Sequence, residues 1–293
     1  MNIKYSETKY RHIQALRGLA VILVFLFHLD VSFFKYGYLG VDIFFVISGF
    51  VVARSFFKIR ESHTFYSSLL IFYKKRFLRI YPNLLVFSFV VFLFWLLFGQ
   101  PNISIFESFT SSIFFTTNIQ GIFGNNVLKE AEYFKTIFNN PFHHTWSLAV
   151  EFQIYLIFPF ILLFYFFFKN NLSKLIYLSI FILISLISYI IVDNFNKNLL
   201  FYFSLFRLWE FLLGVLSFHF FYLDNINKKK KKSFFLIILI LFFFVPFEIK
   251  LNILAVIFSF LFILKLRKFN SFSILPKIGN YSYSIYLYHL PIV

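Results

Sequence analysis

The chain has 293 residues, of which 60% are hydrophobic, 25% aromatic and only 14% charged. A soluble domain carries roughly 45–50% apolar and about 25% charged residues, so an ordinary soluble domain is excluded. With no cysteine, disulfides, thiolate chemistry and Cys-ligated metals are excluded too. The 52 phenylalanines read as compositional bias rather than as an aromatic cofactor box.

Long apolar runs separated by short polar links predict an all-α, polytopic integral membrane bundle of about nine to ten transmembrane segments. Spans fall at about 18–30, 39–53, 82–98, 146–168, 174–192, 199–222, 233–247, 251–264 and 278–293. Nothing resembles a separate soluble domain, so residues 1–293 are read as one membrane domain. Of the 28 basic residues, 21 lie with the N-terminus, 54–79, 169–174, 228–232 and 265–277. The opposite side carries Lys35, Lys129, Lys135, Lys197 and Lys250, while Arg17 and Arg207 fall within spans. Such asymmetry places the N-terminus in the cytoplasm. The net charge of +16 then calls for no nucleic-acid partner, and Lys228–Lys232 read as an anchor against anionic lipid of the bilayer.

The first span, RGLAVILVFLFH, holds Arg17 and His28. They are separated by roughly 16 Å along a helix, about half the ~30 Å hydrocarbon thickness. With Arg17 at one face, His28 lies near the middle, and an ionisable side chain at that depth is a functional hypothesis by default. Asp30 follows, and no small-residue cleavage site succeeds the run, so it is read as a retained helix and not a secretory signal. Asp42 and Ser48 lie in the second span.

Arg76 and Arg79, in RFLRIYP, are spaced to share one helix face where the third span begins. Guanidinium forks suit phosphate oxygens, but charge alone favours simple positive-inside anchoring. Residues 100–145 are apolar yet interrupted by Glu107 and many hydroxyls, as expected of an interfacial or re-entrant element. Trp146 fits an interfacial anchor, and Glu151 lies ~7.5 Å below it, within reach of an outer cavity. His143 and His144 are adjacent, a poor helical metal site, and read as loop residues. Arg207 and Glu210 are three apart and share a face, consistent with mutual neutralisation or with substrate contact. His289 lies ~18 Å from Lys277 along its helix, close to the depth of His28, so either a shared cavity or plain packing accounts for it.

In order, RGLAVILVFLFH, GYLGVDIFFVISGF, RFLRIYP, HTWSLAVEFQIYL, RLWEFLLG and YSYSIYLYHLP resemble the segments of membrane-bound acyltransferase family 3. Its members are O-acyltransferases of bacterial surface and exported glycans. The resemblance runs from about Tyr10 to Val293 and implies a multi-pass protein of the bacterial inner membrane. It implies transfer of an acetyl or other small acyl group from acetyl-CoA to a hydroxyl of a carbohydrate such as O-antigen or exopolysaccharide, with no metal. Arg17 and His28 would be essential, Arg76 and Arg79 would meet the donor, and Glu151 becomes a polar site residue.

That chemistry needs a base, because a sugar hydroxyl is a weak nucleophile at neutral pH; histidine suits the role, or it carries the acyl group itself. Family members usually add a final helix after the last motif, which the present sequence lacks. Any second transfer step outside would require an extracytoplasmic partner enzyme. The alternatives are a proton-coupled transporter or flippase-like protein using His28, Arg207, Glu210 and His289, or an inactive truncated homologue.

Overall fold

The computed structural model describes residues 10–99, 103–123, 140–226, 247–265 and 274–292, and among them every regular element is helical. In chain order these are α1 (Arg11–His28), α2 (Leu39–Arg60), α3 (Phe65–Phe98), α4 (Ile103–Ile113), α5 (Thr117–Phe123), α6 (Trp146–Phe167) and α7 (Asn171–Asp193). There follow α8 (Lys197–Tyr202), α9 (Ser204–Ile226), α10 (Phe247–Lys265), α11 (Ile274–Asn280) and α12 (Ser282–Ile292). Short 3₁₀ turns occupy Ser32–Phe34 and His143–Thr145.

Six stretches among the described residues are long and apolar enough to cross a membrane: Arg11–His28, Leu39–Arg60, Phe65–Phe98, His143–Phe167, Asn171–Asp193 and Lys197–Tyr222. The run expected at 251–264 is a shorter apolar helix. The helix at the C-terminal end is split into α11 and α12 at Tyr281. Most of the span expected at 233–247, together with Lys129, Lys135 and Lys228–Lys232, lies outside the described residues.

Helix α3 departs most from the sequence expectation. It has 34 residues, about 51 Å at 1.5 Å per residue, and starts well before the span anticipated at 82. Thr64 caps it, its side chain accepting from the Ser67 N–H at 3.4 Å. Pro82, which disfavours helix in the residue before it, sits inside the helix. Loss of one backbone hydrogen bond is tolerated in a long apolar helix whose neighbours restore the packing. Arg76 and Arg79 therefore lie within one continuous helix that begins at Phe65.

The chain divides into two compact units, one of Met1–Ala53 and Glu210–Tyr286, the other of Arg54–Trp209 and Leu287–Val293. In the first, backbones approach closely enough that side chains are excluded. A Cβ on Gly49 of α2 would collide with the Phe211 carbonyl of α9, and one on Gly214 would strike the Val46 carbonyl. Gly18 of α1 and Gly279 of α11 are matched in the same way, against Leu275 and Gln14. Small residues at such crossings let membrane helices gain dispersion contacts where no water is left to expel.

In the second unit, α3 and α6 pack through the fully buried Phe72 and Phe158, with ring centroids 6.0 Å apart. Between α3 and α6 the chain forms the short helices α4 and α5, of 11 and 7 residues, too short to span. They are separated by a left-handed Phe115 at φ 56°. This agrees with the interrupted segment read from the sequence. Among the buried polar residues here, Ser112 meets Ser88 of α3 at 3.2 Å, Thr117 meets Thr145 of the 3₁₀ turn at 3.0 Å, and Asn118 donates to Gln153 of α6 at 3.0 Å.

Candidate functional site

Within the second unit, three helices bring polar side chains together around Arg76. Glu151 and Tyr155 are one turn apart on α6, so they project from the same face. The Tyr155 hydroxyl donates a hydrogen bond to the Glu151 carboxylate. From α3, Arg76 lies within electrostatic reach of Tyr155, Glu151 and Arg79. Its Nη2 donates to the Ser55 hydroxyl of α2 at 3.1 Å, and its guanidinium carbon lies 5.8 Å from the Phe72 ring centroid.

Arg76 is buried at 8% exposure, whereas Arg79, Lys74 and Lys75 are exposed. The two arginines expected to act alike thus differ: one is set into the protein, the other presented at its surface. Glu151 is half-buried and lies within electrostatic reach of Arg76. Ser55 and Tyr155 were not singled out by sequence; the four-residue spacing of Tyr155 from Glu151 was the signal that could have found the latter.

A second polar cluster in this unit surrounds His144. Expected as loop residues, His143 and His144 form a buried 3₁₀ turn entering α6. The Nε2 of His144 donates to the Leu287 carbonyl at 2.9 Å, since a carbonyl can only accept. Its ring stands edge-on to His289, centroids 5.2 Å apart. His143 meets the Tyr202 hydroxyl at 3.1 Å. Trp146, expected at a membrane interface, is only 3% exposed and packs on Phe201 and Tyr202.

Arg207 on α9 is fully buried in an aromatic enclosure: its guanidinium carbon lies 5.0 Å from the Phe201 ring, 5.8 Å from Tyr189 and 6.0 Å from Trp146. Its Nε donates to the Phe201 carbonyl at 3.3 Å. Cation–π contacts of this kind make a buried guanidinium tolerable.

In the first unit, α1 carries a half-buried Arg17 and a buried His28, 5% exposed. The helix begins at Arg11 and His28 is its last residue. Asp30, assigned to this helix by sequence, lies beyond it, exposed, with φ 53°. The Nδ1 of His28 donates to the Val24 carbonyl at 2.9 Å, which puts the imidazole lone pair on Nε2. Asp42 is buried in the first turn of α2, where the helix dipole favours a carboxylate. Ser48 is half-buried, and Glu210 is fully buried on α9. Among the described residues no group of three or more His, Asp or Glu side chains is placed to hold a metal ion.

Six long apolar helices enclosing buried ionisable side chains define a multi-pass membrane protein. The family described as Acyltransferase domain matches residues 10–293, and the chain belongs to this acyltransferase family 3. It is similar to O-acetyltransferase OatA of Staphylococcus aureus strain NCTC 8325 / PS 47, with 35% identity over 162 residues, 55% of this chain and 26% of that protein. OatA of strain MRSA252 matches with the same identity and coverage. The chain thus spans about a quarter of the length of these relatives. No solved structure matches.

Proposed function

We propose that this protein is a membrane O-acyltransferase of the bacterial inner membrane. It moves an acetyl or other small acyl group from cytoplasmic acyl-CoA to a hydroxyl of a cell-envelope or exported carbohydrate. The observation that carries this reading is membership of acyltransferase family 3 across residues 10–293; similarity to an O-acetyltransferase over 162 residues supports it. The 21 basic residues expected on one side favour a cytoplasmic N-terminus.

In the reaction the acceptor oxygen bonds to the thioester carbonyl carbon, the hydroxyl proton passes to a base, and the carbon–sulfur bond breaks to release CoA. His28 is the proposed base, and its tautomer suits the part: with Nδ1 donating to Val24, Nε2 is the nitrogen able to take a proton. Arg17, on the same helix, is proposed to assist it. Arg76 and Arg79 are proposed to receive the phosphates of the donor, Arg79 from an exposed position and Arg76 from a buried one. Asp42, Ser48, Arg207, Glu210 and His289 are proposed to line or support the acceptor path, and an extracytoplasmic partner enzyme to carry out any later transfer.

The test is acyl transfer by the purified full chain in lipid nanodiscs supplied with labelled acetyl-CoA, together with acetyl esters on envelope glycans in cells with and without the gene. Label on a carbohydrate hydroxyl and loss of those esters without the gene are expected. Neither effect, from protein that is folded and inserted, overturns the reading.

A further inference from the structure

A serine hydroxyl inside a helix commonly turns back on its own chain and donates to a carbonyl one turn earlier. Helical serines of this protein do so: Ser68 donates to the Thr64 carbonyl at 2.7 Å, Ser108 to Ser104 at 2.8 Å, Ser217 to Gly214 at 2.7 Å and Ser259 to Ala255 at 2.7 Å. Ser55 of α2 does not. Its oxygen accepts from Nη2 of Arg76 on α3 at 3.1 Å, its one hydrogen bond among the described residues. A hydroxyl has one proton to give besides the lone pairs that accept. The Ser55 proton therefore meets no acceptor among the described residues.

The second observation is on the arginine. Arg76 is 8% exposed, yet its Nε–H is buried and meets no acceptor among the described residues. An unaccepted donor on a buried charge is costly and is expected where a ligand completes the shell. Nε and Nη2 share one edge of the planar fork, an edge suited to the oxygens of a phosphate. Ser55 touches that edge at Nη2, so the two unused donors adjoin each other. An anion that only accepts satisfies both and meets the positive charge.

Apolar packing holds the pair still. Phe56, next to Ser55, and Phe72, one turn before Arg76, are fully buried, with ring centroids 5.5 Å apart. The Arg76 guanidinium carbon lies 5.8 Å from the Phe72 centroid. The Tyr73 hydroxyl donates to the Leu156 carbonyl at 2.9 Å and pins α3 against α6. Donors fixed before a ligand arrives lose little freedom on binding it.

We infer that Ser55 is a phosphate-binding residue of the donor site: its hydroxyl accepts from Arg76 Nη2 and donates its own proton to a phosphate oxygen of acyl-CoA that the Arg76 Nε–H also meets. The inference rests on the acyl-CoA reading proposed above and adds to it a contact from α2.

The test is CoA binding, which needs no acyl transfer, by the full chain in nanodiscs. Wild type, Ser55→Ala, Ser55→Thr, Arg76→Gln and the Ser55→Ala/Arg76→Gln double variant are compared. Alanine is a better helix former than serine, so Ser55→Ala protein is expected to fold. It lacks the hydroxyl, and its CoA affinity is expected to fall about tenfold, as for one hydrogen bond to a charged group. Ser55→Thr restores the hydroxyl and is expected to bind as wild type does. Arg76→Gln weakens binding more, and Ser55→Ala adds little in that background, because residues that hold one group are not additive. In transfer assays Ser55→Ala raises KM for acetyl-CoA by the same factor and keeps kcat, a split that a general loosening of the fold does not produce.

Unchanged CoA affinity in folded Ser55→Ala protein, Ser55→Thr binding as weakly as Ser55→Ala, additive losses in the double variant, or a fall in kcat at constant KM would each overturn the inference and leave the acyltransferase reading standing. A lower melting temperature of Ser55→Ala with CoA affinity intact does the same, since it makes Ser55 a packing residue. Folded wild-type protein that binds no CoA overturns the donor reading and the inference together.

Discussion

The imidazole of His144 stands edge-on to that of His289, with ring centroids 5.2 Å apart and planes at 79°. One belongs to the turn that opens α6 and the other to α12, near the opposite end of the sequence. His144 also donates from Nε2 to the Leu287 carbonyl, so it fastens α12 by a hydrogen bond as well as by ring contact. Phe87 packs on both His144 and Tyr288, and Leu287, His289 and Leu290 are buried beside them.

This geometry makes His144 a structural fastener, which His144→Phe would expose. Phenylalanine keeps the ring but leaves the buried Leu287 carbonyl without its donor, a loss of about 1–3 kcal/mol. A lower melting temperature in detergent is expected, with acetyl-CoA affinity retained by the folded fraction. An unchanged melting temperature would show that the carbonyl is satisfied in some other way.

The two arginines of α3 are expected to respond differently to alanine. Arg79 is exposed, so Arg79→Ala should leave folding intact and weaken acetyl-CoA binding through loss of a charge-assisted hydrogen bond, about 1.5–3 kcal/mol. Arg76→Ala removes a cation from beside Tyr155 and Glu151 and should reduce both donor affinity and stability, because breaking a buried charge network leaves its partner uncompensated. Together the substitutions should weaken binding by well over tenfold. Unchanged affinity in the double variant would return both residues to membrane anchoring.

His28→Gln provides the sharpest test of the chemistry. Glutamine can still donate a hydrogen bond toward the Val24 carbonyl, but it takes up no proton. General-base catalysis contributes about 10²–10⁴-fold, so acetyl transfer per folded molecule should drop by that order while acetyl-CoA binding survives. Turnover close to wild type would remove His28 from the mechanism, whereas an acetyl group trapped on its ring in wild-type protein would establish a two-step route.

Gly49 and Gly214 are expected to tolerate no side chain. A methyl at either position meets a backbone carbonyl of the facing helix, which no rotamer change can move. Gly49→Ala or Gly214→Ala should force α2 and α9 apart at a cost of about 1–3 kcal/mol or more. Reduced yield of folded protein and a lower melting temperature are the measurements, and wild-type stability in both would place the close approach elsewhere.

Much of the helical layout was legible because its cause is local. Apolar runs of sufficient length declare membrane helices wherever the rest of the chain lies, and the Arg-x-x-Arg and Arg-x-x-Glu spacings read directly as shared helix faces. The span expected from 82 is the later part of a longer helix, in which support on the flanks absorbs the hydrogen bond that Pro82 removes. Trp146 misled because an indole near the end of an apolar run has the same sequence signature at a lipid interface and inside a protein. Burial at 3% assigns it to the interior.

The sequence by itself determined the class of protein, the residues that carry charge into the spans, and membership of acyltransferase family 3, since each rests on composition or on ordered local motifs. Tertiary structure alone decided which of those residues meet. It brought Arg76 within electrostatic reach of the hydrogen-bonded Glu151 and Tyr155, set His144 against His289, surrounded Arg207 with three aromatic rings, and separated a buried Arg76 from an exposed Arg79. Such contacts depend on the rotation and depth at which one helix packs on another. Packing fixes both through the shapes of many side chains at once, and no spacing along a single helix encodes them.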